Sequence, residues 1–173
     1  MRTTRLQAIA AIAAALAGLF GITPAAAQTP IERGRYLVNL AGCGHCHTPG
    51  HFLGKADMSR ALGGSDVGFG IPNLGVFVGS NLTPDKETGL GRYTDAEVMT
   101  LLRTGARPDG RVLAPAMPWR EYSTLTDTDM KALIAYLRSL KPIRNAVPGP
   151  FGPQEKPTVF VMKVVPPEGA PAR

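Results

Sequence analysis

Apolar residues fall into three patterns along this chain, and each predicts a different kind of element. The first is continuous: Leu6 to Ile22 carries no charged residue. The second is periodic. Met130, Leu133, Ile134, Leu137 and Leu140 recur at the i, i+3, i+4 spacing of a buried helical face, and Val98, Leu101 and Leu102 repeat it over a shorter span. Each stripe is preceded by a helix-start signal. Thr94-Asp95-Ala96-Glu97 reads as a capping box, and Thr126-Asp127-Thr128-Asp129 as the same device with Asp in place of Glu. Gly105 is placed to end one helix as a left-handed cap, and Lys141-Pro142 to stop the other. A further helix is predicted from Thr29-Pro30-Ile31-Glu32, with Thr29 as N-cap, through Tyr36, Leu37 and Leu40 to a stop at Gly42. Gly34 in its middle costs roughly 1 kcal/mol against Ala, and is most useful where another helix crosses closely.

The third pattern is irregular. Phe69, Ile71, Leu74, Val76, Phe77 and Val78 lie in a stretch that holds eight glycines between Gly63 and Gly91, together with Pro72 and Pro84. That composition excludes a helix and predicts an ordered long loop with room for a short hairpin. From Pro142 onward eight prolines in 32 residues exclude a helix again. Thr158-Val159-Phe160-Val161-Met162 is nonetheless too apolar for a free tail, so an extended arm wrapping the domain is expected. The predicted fold class is all-α: about three main helices, a long glycine-rich loop and a proline-rich C-terminal arm.

The continuous run is preceded by Arg2 and Arg5 and followed by Pro24-Ala25-Ala26-Ala27, the small-residue pattern cut by signal peptidase. The organisation expected is an export signal over residues 1–27, a domain over 28–145 and the arm over 146–173. Localisation in the periplasm follows, with membrane contact at most peripheral. Formal charge is +6, and falls by two when Arg2 and Arg5 leave with the signal. Without clustered Lys and Arg, that mild excess gives no reason to expect nucleic-acid binding.

The candidate chemistry is concentrated in Cys43-Gly44-His45-Cys46-His47, which contains both cysteines of the chain. C-x-x-C-H is the spacing of covalent haem attachment. One helical turn sets two thiols to add across two vinyl groups, and the following His47 lies where it can ligate the iron. A structural zinc site wants four ligands, and the remaining histidines, His45 and His51, sit in the same short stretch. A thioredoxin-like pair needs a βαβ context that is missing here, and a plain disulfide gives His47 no role. One covalent haem c is therefore the expected cofactor, held by Cys43, Cys46 and His47.

An electron carrier fills both axial positions of its iron. His51 is tied to the side of His47. Met99 and Met130 belong to predicted helices, Met58 to a flexible stretch and Met162 to the arm. Met117 differs, because Pro115 and Pro118 bracket it and restrict its backbone, and it lies between the second and third predicted helices. It is the expected second ligand. His/Met ligation raises the reduction potential and leaves no position open for a substrate. Trp119, Arg107 and Arg111 are candidates to meet the haem propionates, since a buried carboxylate without partners is costly.

With these residues in place, the chain resembles small monohaem c-type cytochromes related to the cytochrome subunits of periplasmic dehydrogenases. The likeness rests on Gly34-Arg35-Tyr36-Leu37 ahead of the haem motif, on Asn81-Leu82-Thr83-Pro84-Asp85, Thr88-Gly89-Leu90-Gly91, Asp109-Gly110-Arg111 and Met117-Pro118, and on Ala135-Tyr136-Leu137-Arg138-Ser139-Leu140. It extends from about Ile31 to Ile143, and departs from the multihaem subunits in having one C-x-x-C-H rather than three. The resemblance implies a cytochrome c fold in which the first and last helices cross, Gly34 against the Tyr136 region. It also implies an electron-transfer role without catalysis, with a dehydrogenase as donor and a terminal oxidase or another cytochrome as acceptor. The alternative is a haem enzyme of peroxidase type with a labile Met117.

Overall fold

The computed structural model describes residues 27–165. The expected export signal falls almost wholly outside the described residues. Helix α1 (Pro30–Leu40) begins as anticipated: Thr29 Oγ1 accepts from Glu32 N, and the Glu32 carboxylate accepts from Thr29 N in return. Gly42, at a left-handed φ of 65°, turns the chain into a single-turn helix α2 (Cys43–His47). Helix α3 (Asp95–Thr104) carries a second complete capping box, Thr94 with Glu97, and ends at Gly105 with φ of 73°. A short α4 (Trp119–Tyr122) leads into α5 (Asp127–Ser139).

At the start of α5 the reciprocal cap is half formed. Thr126 Oγ1 accepts from Asp129 N at 3.1 Å. The Asp129 side chain, one methylene shorter than Glu, is turned instead to Arg33 of α1, receiving Nε at 2.8 Å and Nη2 at 3.2 Å. This ties the two helices where they cross. At the crossing, a Cβ on Gly34 would collide with the Ala132 carbonyl and would lie 2.7 Å from the Tyr136 Cβ. The glycine is thus the residue that lets the backbones meet, and it supplies the Gly34–Tyr136 contact that the resemblance implies. Met130, fully buried, and Val38, Val98, Leu133, Ile134 and Leu137 form the core between α1, α3 and α5.

The all-α expectation is wrong. Strand β1 (Val67–Ile71) pairs antiparallel with β2 (Gly75–Val78), with Phe69 opposite Phe77, and parallel with β3 (Phe160–Lys163), with Val67 opposite Phe160. The result is a mixed three-stranded sheet in the order β2-β1-β3. Glycines suppress strand propensity in sequence, which is why the stretch reads as loop. In the sheet two of them serve close approach instead. A Cβ on Gly68 would lie 2.5 Å from Val76 Cγ1, and one on Gly70 2.9 Å from Lys163 Cγ. The β1–β2 hairpin fills the room the loop composition leaves for one. Recruitment of the arm as a third strand is not legible in any local pattern, because the pairing spans about ninety residues of chain.

Between α5 and β3 the chain runs extended along the domain. Ile143 and Asn145 are hydrogen-bonded to the loops around residues 63 and 83, and Phe151 exchanges both backbone hydrogen bonds with Val76, each at 2.9 Å. Among the described residues no helix is long and apolar enough to cross a membrane.

Candidate functional site

Around these elements lies a cavity of about 660 Å³, within the range of cofactor pockets. Leu101 and Leu102 of α3, Leu133 and Leu137 of α5, and Leu82 and Leu90 of the intervening loops give it apolar walls. Cys43, Cys46, His47 and Met117 all line it.

His47 is buried, and its ring is held by one hydrogen bond, Nδ1 to Ser80 O at 2.6 Å. A carbonyl only accepts, so Nδ1 carries the proton and Nε2 keeps a free lone pair for a metal. Burial pushes the imidazole pKa down, against the opposing pull of the Ser80 carbonyl, and keeps the ring neutral as a ligand must be. The loop that brings Ser80 can approach because residue 79 is glycine. A Cβ there would collide with the Cys46 carbonyl and lie 3.4 Å from His47 Nδ1.

Burial pushes the Cys43 thiol up to about 11, and raises that of Cys46 as well. A redox dithiol of thioredoxin type has its thiol lowered instead, and these two lack that signature. Among the described residues no group of three or more His, Cys, Asp or Glu could hold a metal ion, which leaves the zinc alternative without a ligand set. His51 stacks on His45 with ring centroids 4.5 Å apart, and does not enter the cavity.

Met117 sits on the connection between α3 and α4, its backbone N–H donating to Ala114 O at 2.9 Å while its own carbonyl accepts from Trp119 N at 2.8 Å. The other described methionines lie elsewhere. Met130 is in the core, Met99 packs against it, and Met58 and Met162 are 73% and 43% exposed. Tyr122, which sequence reasoning missed, also lines the cavity, and its hydroxyl donates to Ala41 O at 3.0 Å. Burial first, then the neighbouring Cys43 and Cys46, pushes that phenol up to about 12, so it remains a donor.

The three propionate candidates divide. Arg107 and Arg111 line the cavity. Trp119 packs instead on Gly105, where a Cβ would come within 2.6 Å of the indole Cε2, and the Arg120 guanidinium lies over its ring, 4.5 Å from the centroid. Arg107 Nη2 donates to the Tyr93 hydroxyl at 3.2 Å. Its Nε is buried with no hydrogen-bond partner, the Asp109 carboxylate being 3.5 Å away. An orphaned guanidinium N–H at the rim of an apolar cavity is what a group with carboxylate arms would satisfy. The residues present therefore fit a haem: two thiols, a neutral imidazole with a free nitrogen, a thioether, apolar walls and a cation with an unused donor.

Comparison with known proteins agrees with this geometry. Residues 31–141 match the cytochrome c family. The fructose dehydrogenase cytochrome subunit of Gluconobacter japonicus is 39% identical over 136 residues, covering 75% of this chain and 26% of that protein. The cytochrome c subunit of the quinone-type alcohol dehydrogenase of Gluconacetobacter polyoxogenes is 38% identical over 122 residues, 70% of this chain and 24% of that one. The gluconate 2-dehydrogenase cytochrome c subunit of Pantoea cypripedii is 33% identical over 120 residues, 67% of this chain and 24% of that one. The chain thus spans about a quarter of the length of these relatives. A family match from the first turn of α1 to just past the end of α5, around a cavity of this chemistry, settles the assignment: the chain belongs to the cytochrome c family, whose cofactor is covalently bound haem c and whose role is electron transfer, and it is similar to cytochrome subunits of dehydrogenases.

Proposed function

We propose that this chain is an exported, single-haem electron carrier with His47 and Met117 as axial ligands, taking electrons from a periplasmic dehydrogenase and passing them to a respiratory acceptor, a terminal oxidase or another cytochrome. The observation that carries the reading is the convergence of Cys43, Cys46, His47 and Met117 on one cavity. When bound, the haem supplies the one-electron chemistry. Cys43 and Cys46 hold it as thioethers; one such pair supports one haem. His47, its Nδ1–H fixed by Ser80, offers Nε2 from one element, and Met117 offers its sulfur from the α3–α4 connection. The leucines of α3 and α5 exclude water, and Arg107 meets a propionate. The donor class is supported by the relatives, several of which are named as cytochrome subunits of dehydrogenases acting on fructose, alcohol or gluconate. The periplasmic location is supported by the apolar run and the Ala25-Ala26-Ala27 site at its end.

The test is attachment and stoichiometry. Protein made in a host competent for haem attachment, then precipitated in acid acetone, is expected to stay red and to carry the mass of one haem. Cys43→Ala and Cys46→Ala are each expected to lower holoprotein yield sharply. Pigment that extracts into the solvent, or a mass gain of more than one haem, contradicts the reading.

A further inference from the structure

We propose that Asn81 is a positioning residue: it couples the chain after α5 to the loop bearing Ser80, and so sets how firmly the Ser80 carbonyl holds the His47 imidazole. The proposal rests on the haem reading above and deepens it, because it assigns a tuning role to residues that touch no iron.

Asn81 and Thr83 are 2% and 0% exposed. Polar side chains this deeply buried must be fully partnered, and here the partners have a direction. Asn81 Oδ1 accepts from Thr83 N at 2.9 Å and from Thr83 Oγ1 at 2.7 Å, which locks the loop upon itself. Asn81 Nδ2 donates to Ile143 O at 2.6 Å and to Thr88 Oγ1 at 3.1 Å. Ile143 N in turn donates to Thr83 Oγ1 at 3.1 Å. Two residues on, Asn145 N donates to Thr88 Oγ1 at 2.9 Å, and Asn145 Nδ2 donates to Gly63 O at 2.7 Å.

The other side of the network ends at the proximal histidine. Gly64 N donates to His47 O, Ser65 N to Gly79 O, each at 2.9 Å, and Leu62 N to Thr48 Oγ1 at 3.0 Å. Ser80, directly before Asn81, therefore has its carbonyl aimed at His47 Nδ1 by a loop clamped from both directions. The segment after α5 contributes the outer clamp. A hydrogen bond on the far nitrogen of a ligating imidazole fixes its orientation and strengthens it as a donor to the metal. Stronger donation stabilises the oxidised iron. A loosened Ser80 carbonyl then favours the reduced state, and the midpoint potential rises.

That sign separates positioning from other roles. If the chain after α5 merely shields the haem, loosening it admits water, stabilises the more charged oxidised state and lowers the potential. If Asn81 is only part of the packing, thermal stability falls and the potential stays. The experiment uses full-length holoprotein of wild type, Asn81→Ala and Asn145→Ala, with redox titration, thermal unfolding and the oxidised spectrum measured on each. Asn145→Ala removes the tie to Gly63 while leaving the Asn81–Thr83 bonds intact. The expected result is a potential raised in Asn81→Ala and raised less in Asn145→Ala, with covalent haem and low-spin spectrum retained in both. A fall in potential, or no change beside a lower melting temperature, overturns the proposal. Should Asn81→Ala yield no holoprotein, the sign of the shift in Asn145→Ala decides alone. Failure of the haem reading itself would show separately, as wild-type protein without covalent haem or without a six-coordinate low-spin spectrum.

Discussion

At the scale of single residues, the cavity brings Cys43, Cys46, His47 and Met117 together, and the Ser80 carbonyl orients the His47 ring. Cys43, Cys46 and His47 declare themselves by position, and the prolines beside Met117 single it out from Met58, Met99, Met130 and Met162. Trp119 and Arg107 are indistinguishable as propionate partners in sequence. What separates them is packing, since Gly105 takes the indole and leaves the buried Nε of Arg107 without a partner. Ser80 contributes only a backbone carbonyl, an atom every residue has, so no side-chain signal marks it. A local charge contact makes a pH prediction. The Asp57 carboxyl is lowered from the ordinary 3.8 to about 2, first by the Ser59 hydroxyl and next by Arg60, whose Nε lies 2.7 Å from Oδ2. A depressed carboxyl contributes stability that is present above its unfolded pKa and is lost as pH falls through the folded one. Wild-type melting temperature is therefore expected to decline between about pH 4 and pH 2 more steeply than that of Asp57→Asn. Because the contact is exposed the difference is small, and parallel acid limbs for the two proteins would contradict the assignment.

At the scale of elements, the helices are legible because each carries its own start and stop. Thr29 with Glu32 and Thr94 with Glu97 form both halves of the capping box. Thr126 forms one half, since Asp129 answers to Arg33, a partner 96 residues distant. The sheet is hidden for the same reason: β1 needs glycines at 68 and 70 to let neighbouring side chains across, and those glycines read as loop. The α1–α5 crossing is the joint that can be tested. Gly34→Ala places a methyl against the Ala132 carbonyl and the Tyr136 Cβ. Such overpacking costs about 1–3 kcal/mol, offset only in part by the better helix propensity of Ala. Chemical denaturation of the holoprotein is expected to show that loss. Stability equal to or above wild type would mean that the helices cross with more room than the structure gives them.

At the scale of the whole molecule, helices α2, α3 and α5, a small sheet and the chain after α5 surround one cavity, and His47 and Met117 both line it. The family shows electron transfer as the general role; the proposed ligation by Met117, bracketed by Pro115 and Pro118, is what would make this chain a carrier rather than a haem enzyme. Carbon monoxide binding by the native ferrous holoprotein tests that claim most directly. With Met117 on the iron, uptake is slow and incomplete, and the oxidised protein shows the weak far-red sulfur-to-iron band. Met117→Ala abolishes the band and opens the iron to carbon monoxide, while Met58→Ala and Met162→Ala leave both unchanged. Rapid, stoichiometric binding of carbon monoxide by the native protein would contradict the account.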